Sequence, residues 1–506
     1  MHSSPQIRRG PHRRTVPIVG YHRTRWDYMG GPRADPKFVN GSHKVFTFHG
    51  TLDLGALQWS VNFLVSRQQI LSAHVVEGRV GPQFVFADSK VPLDTIDLST
   101  RGTKNKIAEA KRLASELVWR KFPIEGPWLR VFAIKLTEKK HIIGFVIHHF
   151  IADAISVRIA AAELLVAYSA FASGQVPQFA DLPVQYADYV NAVNLWLRQG
   201  FARGHEDFWR LRLHDAPATV LPPDKPVRPD DQGYEVTYAC RLTNKLVAAI
   251  RRFTKSNSIA MITLILVALT LSLSKHTGSN DIVVQTCVSG RTDRRLAGLV
   301  GAFFDTVALR FNVPKVGTLA AFLKSVRRVV LEGYAHQDFS YNLVKPFLSE
   351  MGASGISPFL NFLNHFDPNG ATPSRVVKSL ELLPSPRVLR YAKEVPNLNM
   401  TLVHDNTGLK LRIDYFDMQY EADTIQCFCR SLVRVLEQIV ENPARPVSII
   451  FTEKLRRRTS GCEVPRTEPG KSARSGLPLA APVPLPNDQG PRRGQGNNTA
   501  DKQRLR

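Results

Sequence analysis

Cysteine is scarce and unpaired in number. The 506-residue chain holds five (Cys240, Cys287, Cys427, Cys429 and Cys462), widely scattered, which excludes a disulfide framework and points to a reducing compartment. Cys427 and Cys429 form a C-x-C within a helical pattern, so their side chains diverge and make a poor metal clip. Long apolar runs are also missing. The longest, "IAMITLILVALTLSL" from Ile259, falls short of the ~20 residues that cross a bilayer and reads as a buried core helix. The N-terminus has arginines but no apolar stretch of signal-peptide length. A cytoplasmic protein without a membrane segment is therefore expected. Phosphate loops, dinucleotide-binding glycine fingerprints and H-E-x-x-H spacings are absent too.

Acidic residues are in deficit. Lysine and arginine total 67 against 43 aspartates and glutamates, a formal charge of +24. Part of the excess lies at the ends: "QIRRGPHRRTVP" opens the chain with no acid before Asp27, and "EKLRRRTSGCEVPR" begins a tail closing on "DKQRLR". Without a zinc-finger spacing or an RNA-binding aromatic signature, the charge does not indicate nucleic acid. A basic surface also attracts anionic membranes and acidic proteins, between which charge alone does not choose, and solvated lysines and arginines account for it as well.

The composition is otherwise that of a globular protein, with 43% hydrophobic and 22% charged residues. Strands and helices alternate irregularly, giving an α+β class. "WLRVFAIKL" and "HIIGFVIHH", separated by the polar "TEKK", predict a hairpin. "ISVRIAAAELLVAYSAFASG" predicts a helix ending at Gly174, and "ADTIQCFCRSLVRVLEQIVENP" an amphipathic helix closed before Pro443. Five prolines between Pro217 and Pro229 mark an irregular connection. The expected organisation is a disordered basic arm over 1–14, one lobe over 15–190, a second over 191–452, and a disordered Pro/Gly-rich tail over 453–506.

The chemistry concentrates in "IHHFIADA", residues 147–154. It follows a predicted strand and precedes a predicted helix, a position from which side chains project into a cleft. Strand neighbours face opposite ways, so one of His148 and His149 is a candidate reagent and the other a candidate support. Imidazole suits proton transfer near neutral pH. Metal binding needs a third ligand, and the local sequence offers only Asp153, so no metal is expected. Asp153 could orient a histidine or be held by a distant arginine; spacing leaves both open.

H-H-x-x-x-D followed by a small residue resembles the HHxxxDG signature of condensation domains of nonribosomal peptide synthetases. Those domains belong to the superfamily of chloramphenicol acetyltransferase and the coenzyme-A-dependent acyltransferases. The resemblance continues in order through "LDLGALQWSVNFLVSRQQILSAHVV", "EGPWLRVFAIKL", "VQYADYVNAVNLWL", "LSKHTGSNDIVVQTCVSGR", "LVGAFFDTVALR", "HQDFSYNLV" and "SPFLNFLNHF". It implies two acetyltransferase-like lobes in a V-shaped pseudo-dimer with a central tunnel. Donor and acceptor would enter from opposite ends on phosphopantetheine arms of acyl or peptidyl carrier proteins. His149 would be catalytic, acting on an amine that attacks a thioester; His148 would support the loop; Asp153 would pair with Arg291. No bound cofactor is implied, the arm (or coenzyme A) being the substrate carrier. A thioester is already activated, so orientation alone can remove on the order of 7–11 kcal/mol of barrier.

Three departures from the family pattern stand out. Ala154 replaces the final glycine, which would cost about 1 kcal/mol if positive φ were required. Asp305 stands where asparagine is usual, an extra negative charge near the tunnel. "RQQILSA" is a loose version of the family's R-H-E-x-L-R-T. The resulting expectation is a stand-alone, monomeric, amide-forming condensation enzyme of secondary-metabolite or antibiotic biosynthesis, acting with carrier proteins in trans and an amine or hydroxyl acceptor. The alternatives are an ester-forming or coenzyme-A-dependent acyltransferase and a non-catalytic domain that recruits carriers or tailoring enzymes.

Overall fold

In the computed structural model, residues 41–353, 358–364, 398–405 and 408–452 are described, apart from breaks at 80, 87–89, 101, 103–104, 124–125 and 229. Residues 4–10, 15–18, 22–23, 26, 377–379, 389–391 and 462–463 are described as well.

The first half runs β1 (Thr15–Pro17), β2 (Gly41–His49), α1 (Leu54–Arg67), β3 (Ala73–Gly78), β4 (Gly81–Phe86), β5 (Leu93–Asp97), α2 (Lys106–Trp119), β6 (Leu129–Thr137), β7 (Lys140–His148) and α3 (Ala154–Ala172). Helices α4 (Tyr186–Arg198) and α5 (Arg203–Leu213) lead into the second half. That half continues with β8 (Gln232–Leu242), α6 (Asn244–Ser256), α7 (Met261–Thr277), β9 (Asp281–Val288), β10 (Asp305–Asn312) and α8 (Leu319–Ala335). It closes with β11 (Phe359–Asn364), β12 (Val377–Ser379), β13 (Leu389–Tyr391), β14 (Asn399–Asp405), β15 (Gly408–Phe416), α9 (Ala422–Glu441) and β16 (Cys462–Glu463).

The apolar runs of β6 and β7 pair as the expected antiparallel hairpin. They form the centre of a five-stranded sheet ordered β12-β2-β7-β6-β5. Gly144 on β7 lies against the Phe132 ring of β6, so any Cβ there would collide with it. The second sheet is ordered β10-β9-β11-β14-β15-β8-β13, with β16 added beside β8. A three-stranded sheet, β1-β4-β3, completes the set. Helix α7 is buried at twelve positions from Thr263 to Ser274, as its largely apolar run requires, and ends at the left-handed Gly278. Helix α3 is long and apolar enough by composition to cross a bilayer. It packs instead beside α1 and holds Glu163 against Arg67 and Gln68 of the first half.

The arm expected to be disordered over 1–14 is partly built into the fold. Ile7 is buried in the first core, and the Gly10 N–H donates to Asp188 Oδ1 at 2.9 Å. One apolar anchor among the arginines is enough to dock it. Residues 1–3 and 11–14 lie outside the described set. So does the tail from 453, apart from β16, whose pairing with Leu242 and Arg241 of β8 replaces disorder at that point. The expected lobe boundary at 190 falls inside α4, which gives Tyr186 and Val190 to the first core and Trp196 to the second. Leu296, Leu299, Val300 and Phe303 also return from the second half to the first core. The two cores therefore draw on residues from both sides of the expected boundary. In the second core, Cys240 and Cys429 are buried with their sulfurs 3.2 Å apart.

Candidate functional site

β7 ends at His148, and the turn that follows carries the chain to Asp153, which caps α3. His148 is buried at 4% exposure. Its Nδ1 accepts from the Phe150 N–H at 3.2 Å, and its ring packs against Phe122 and Trp128. A side chain so enclosed braces the turn. His149 is only half-buried. Its Nδ1 lies 3.3 Å from the Ala152 carbonyl. A carbonyl oxygen only accepts, so this contact assigns the ring hydrogen to Nδ1 and the lone pair to Nε2. Ser42 Oγ of β2 sits 3.1 Å from Nε2. The arrangement presents an imidazole nitrogen able to take a proton, with a hydroxyl beside it. The alternation of β2 could not reveal Ser42 as a site residue, because its partner lies 107 residues away.

Asp153 is the best-satisfied acid of the site and is 3% exposed. Its Oδ1 accepts from the Ser156 N–H and hydroxyl, each at 2.7 Å, and Oδ2 accepts from the Phe303 N–H at 3.3 Å. Arg291 Nη2 reaches both oxygens at 3.2 and 3.3 Å. Arg291 Nη1 donates to the carbonyls of Leu296 and Leu299, while the guanidinium stacks on Phe303 with 4.2 Å to the ring centre. The carboxylate therefore pins the turn to the second half, which decides between the two roles its spacing had left open. Gly290, just before Arg291, has φ of +62°, and a Cβ there would strike the Phe303 carbonyl. Only glycine lets the arginine come that close.

Ala154 opens α3 and is not among the residues with positive φ, so the condition for a strain cost is not met there. The loosely matching "RQQILSA" segment has a definite task. Gln68, 1% exposed, donates from Nε2 to Glu163 Oε2 and to the Gly298 carbonyl, and its Oε1 accepts from the Val300 N–H at 2.8 Å. Arg67 completes the cluster with Glu163 at 2.9 Å. This staple joins α3 to the segment after Arg291. A second brace comes from His22, buried in the N-terminal segment with its Nε2 3.1 Å from the Tyr186 hydroxyl. It also hydrogen-bonds the Phe150 backbone, next to His149, and burial pushes its pKa down to about 3. Neither Gln68 nor His22 had a local signal, since the staple spans 230 residues and the brace 128 or more.

Asp305 begins β10 and stands apart from the histidine turn's hydrogen bonds. Its Oδ1 accepts from the Thr306 N–H at 2.8 Å and from Asn342 Nδ2 at 2.5 Å. Burial pushes its carboxyl up to about 6 against the pull of these donors. Asp305 lines a cavity with Tyr189, Phe303, Asp338 and Ser340.

Comparison with known proteins places this geometry in a class. The sequence model described as Condensation domain matches residues 40–455. A linear gramicidin synthase from Brevibacillus parabrevis is 26% identical over 407 residues, covering 79% of this chain and 5% of the relative. Malpibaldin synthetase of Mortierella alpina is 25% identical over 408 residues, covering 80% of this chain and 7% of the relative. The chain thus spans less than a tenth of these synthetases. Among solved structures, the X-domain from teicoplanin biosynthesis superposes with a TM-score of 0.71 at 21% identity, covering 88% of this chain and 99% of that one. The condensation domain of the Monacolin K polyketide synthase MokA superposes at 0.68 with 18% identity, covering 86% and 99%. The fold is the chloramphenicol-acetyltransferase-like α+β fold of such domains. The chain belongs to the condensation-domain family.

Proposed function

We propose that this condensation domain forms an amide by joining an amine acceptor to an acyl group held as a thioester on a carrier protein's phosphopantetheine arm. The observation that carries this reading is the His149 ring, held through Nδ1 at the Ala152 carbonyl with Nε2 turned to Ser42. As the amine adds to the thioester carbonyl, Nε2 removes the proton that the new C–N bond makes acidic. The tetrahedral intermediate then collapses, the C–S bond breaks, and the proton passes to the departing thiolate. No oxidant or metal enters the balance. Asp153, Arg291 and His148 keep the turn in register; they position His149 and do not touch the reacting atoms. The +24 charge supports an acidic carrier as partner, and a cytoplasmic setting fits this supply of acyl donors.

A second reading is a recruitment role, favoured by the likeness to an X-domain solved in complex with OxyB, at a TM-score of 0.71. The two differ in what deletion removes. A deletion strain complemented with the gene should regain a metabolite containing the amide made by this domain. Accumulation of the two unjoined halves after deletion supports acyl transfer. A joined but otherwise unmodified product would favour recruitment, and an ester in the restored product would move the assignment to ester formation.

A further inference from the structure

Five scattered cysteines form no disulfide pattern in the sequence, yet the fold brings two of them together. Cys240 lies on β8 and Cys429 on α9. Their sulfurs are 3.2 Å apart, although 189 positions separate the two residues in the chain. One thiol donates a weak hydrogen bond to the other. Both residues are 1% exposed inside the second core, where Leu411 stands across the sheet from Cys240. Cys427, two residues earlier on α9, faces another way round the helix and is only half-buried.

A thiol is not needed to fill either place. Cysteine packs as a small hydrophobe, so alanine or valine would serve, and what sulfur adds is reactivity. Metal binding does not account for the pair: among the described residues, no three His, Cys, Asp or Glu side chains come together as ligands. Two thiols in contact without a third ligand have one further reaction open to them, the oxidation that joins them. A disulfide holds its sulfurs ~2.05 Å apart, so closure asks for a movement of about 1 Å shared between two side chains.

We propose that Cys240 and Cys429 form an oxidative cross-linking site, closed to a disulfide by hydrogen peroxide and tying β8 to α9. The thiolate of one cysteine attacks a peroxide oxygen, the O–O bond breaks, and a sulfenic acid forms as water leaves. The second sulfur then attacks the first, the S–O bond breaks, and a second water carries off the remaining thiol proton. Two electrons pass from the sulfurs to the peroxide. In a reducing compartment the pair rests as thiols and closes under oxidative stress. Hydrogen peroxide is small enough to enter the core through local opening, whereas burial keeps bulkier thiol reductants from the closed bond. The loop so closed contains Arg291 and Phe303, which the second half sends to Asp153. The cross-link therefore braces the part of the molecule that pins the histidine turn.

The test is peptide mapping by mass spectrometry of the full-length chain after hydrogen peroxide treatment, with remaining thiols alkylated on unfolding. The wild-type chain should become two hydrogens lighter and yield one peptide pair joined through Cys240. Cys427→Ser should still form the bridge and Cys429→Ser should not, which assigns the second sulfur. The cross-linked chain should melt roughly 5 °C higher than the same chain reduced with dithiothreitol. Recovery of Cys240 and Cys429 as separate residues from the oxidised wild-type chain, alkylated or further oxidised, overturns the proposal and needs no variant. A bridge from Cys240 to Cys287, Cys427 or Cys462 overturns it as well. A cross-linked chain that melts no higher than the reduced one overturns the bracing role.

Discussion

Arg291 Nη2 lies 3.2 Å from Asp153 Oδ1, an ion pair closed across 138 residues with both side chains under a tenth exposed. Removing one partner of such a pair leaves a buried charge unmatched, which costs about 3–5 kcal/mol. Asp153→Ala should therefore lower the free energy of unfolding by that amount in guanidinium titration. Asp153→Asn, which keeps the cap on α3, should lose less. A loss below about 1 kcal/mol for the alanine variant would show that the pair does not hold the turn.

Gln68 offers a sharper test of how the halves are joined. Gln68→Ala strands the Val300 N–H and half of Glu163's hydrogen bonding in a site closed to water. The expected cost is about 1–3 kcal/mol. Gln68→Glu should be worse than Gln68→Ala, because it sets a carboxylate beside Glu163. Denaturation midpoints of the two variants decide the order.

Asp305 gives stability a pH dependence of known sign. Its pKa is raised from 3.8 to about 6, so the folded chain holds the proton more firmly than the unfolded one between those values. Stability from this group falls as pH rises through that window and is constant above it. Asp305→Asn should gain on the wild type by about 2 kcal/mol between pH 4 and pH 7.5. Parallel unfolding curves at the two pH values would show no such gain if the carboxyl titrated normally.

His22 acts in the opposite sense. Its pKa is lowered from 6.5 to about 3, so below pH 6.5 the unfolded chain takes up the proton that the folded chain refuses. Its contribution is complete above pH 6.5 and is lost as pH falls toward 3. Between pH 7 and pH 4 the wild type should lose about 3 kcal/mol more than His22→Gln. Equal acid sensitivity of the two proteins would contradict the buried, neutral placement beside Phe150.

Much of the fold was legible because its signals are local. The β6–β7 hairpin follows from two apolar runs split by a polar turn, and the pleat divides the two histidines between opposite faces, while only the family resemblance singled out His149. The ordered family motifs added Arg291, which no local period could supply. Ser42, Gln68 and His22 were not legible, since each reaches the turn or its helix from far along the chain. The N-terminal arm misled through its arginines: Ile7 buries itself regardless of the charges around it.

The most direct measurement of the central claim is the product titre of the deletion strain complemented with His149→Ala, at protein abundance matched to the wild type. Loss of a general base should cut the rate by about 10²–10⁴-fold, so the amide product should fall to the level of the deletion strain. A titre equal to that of the wild-type complement would contradict the account and place the chemistry outside this chain.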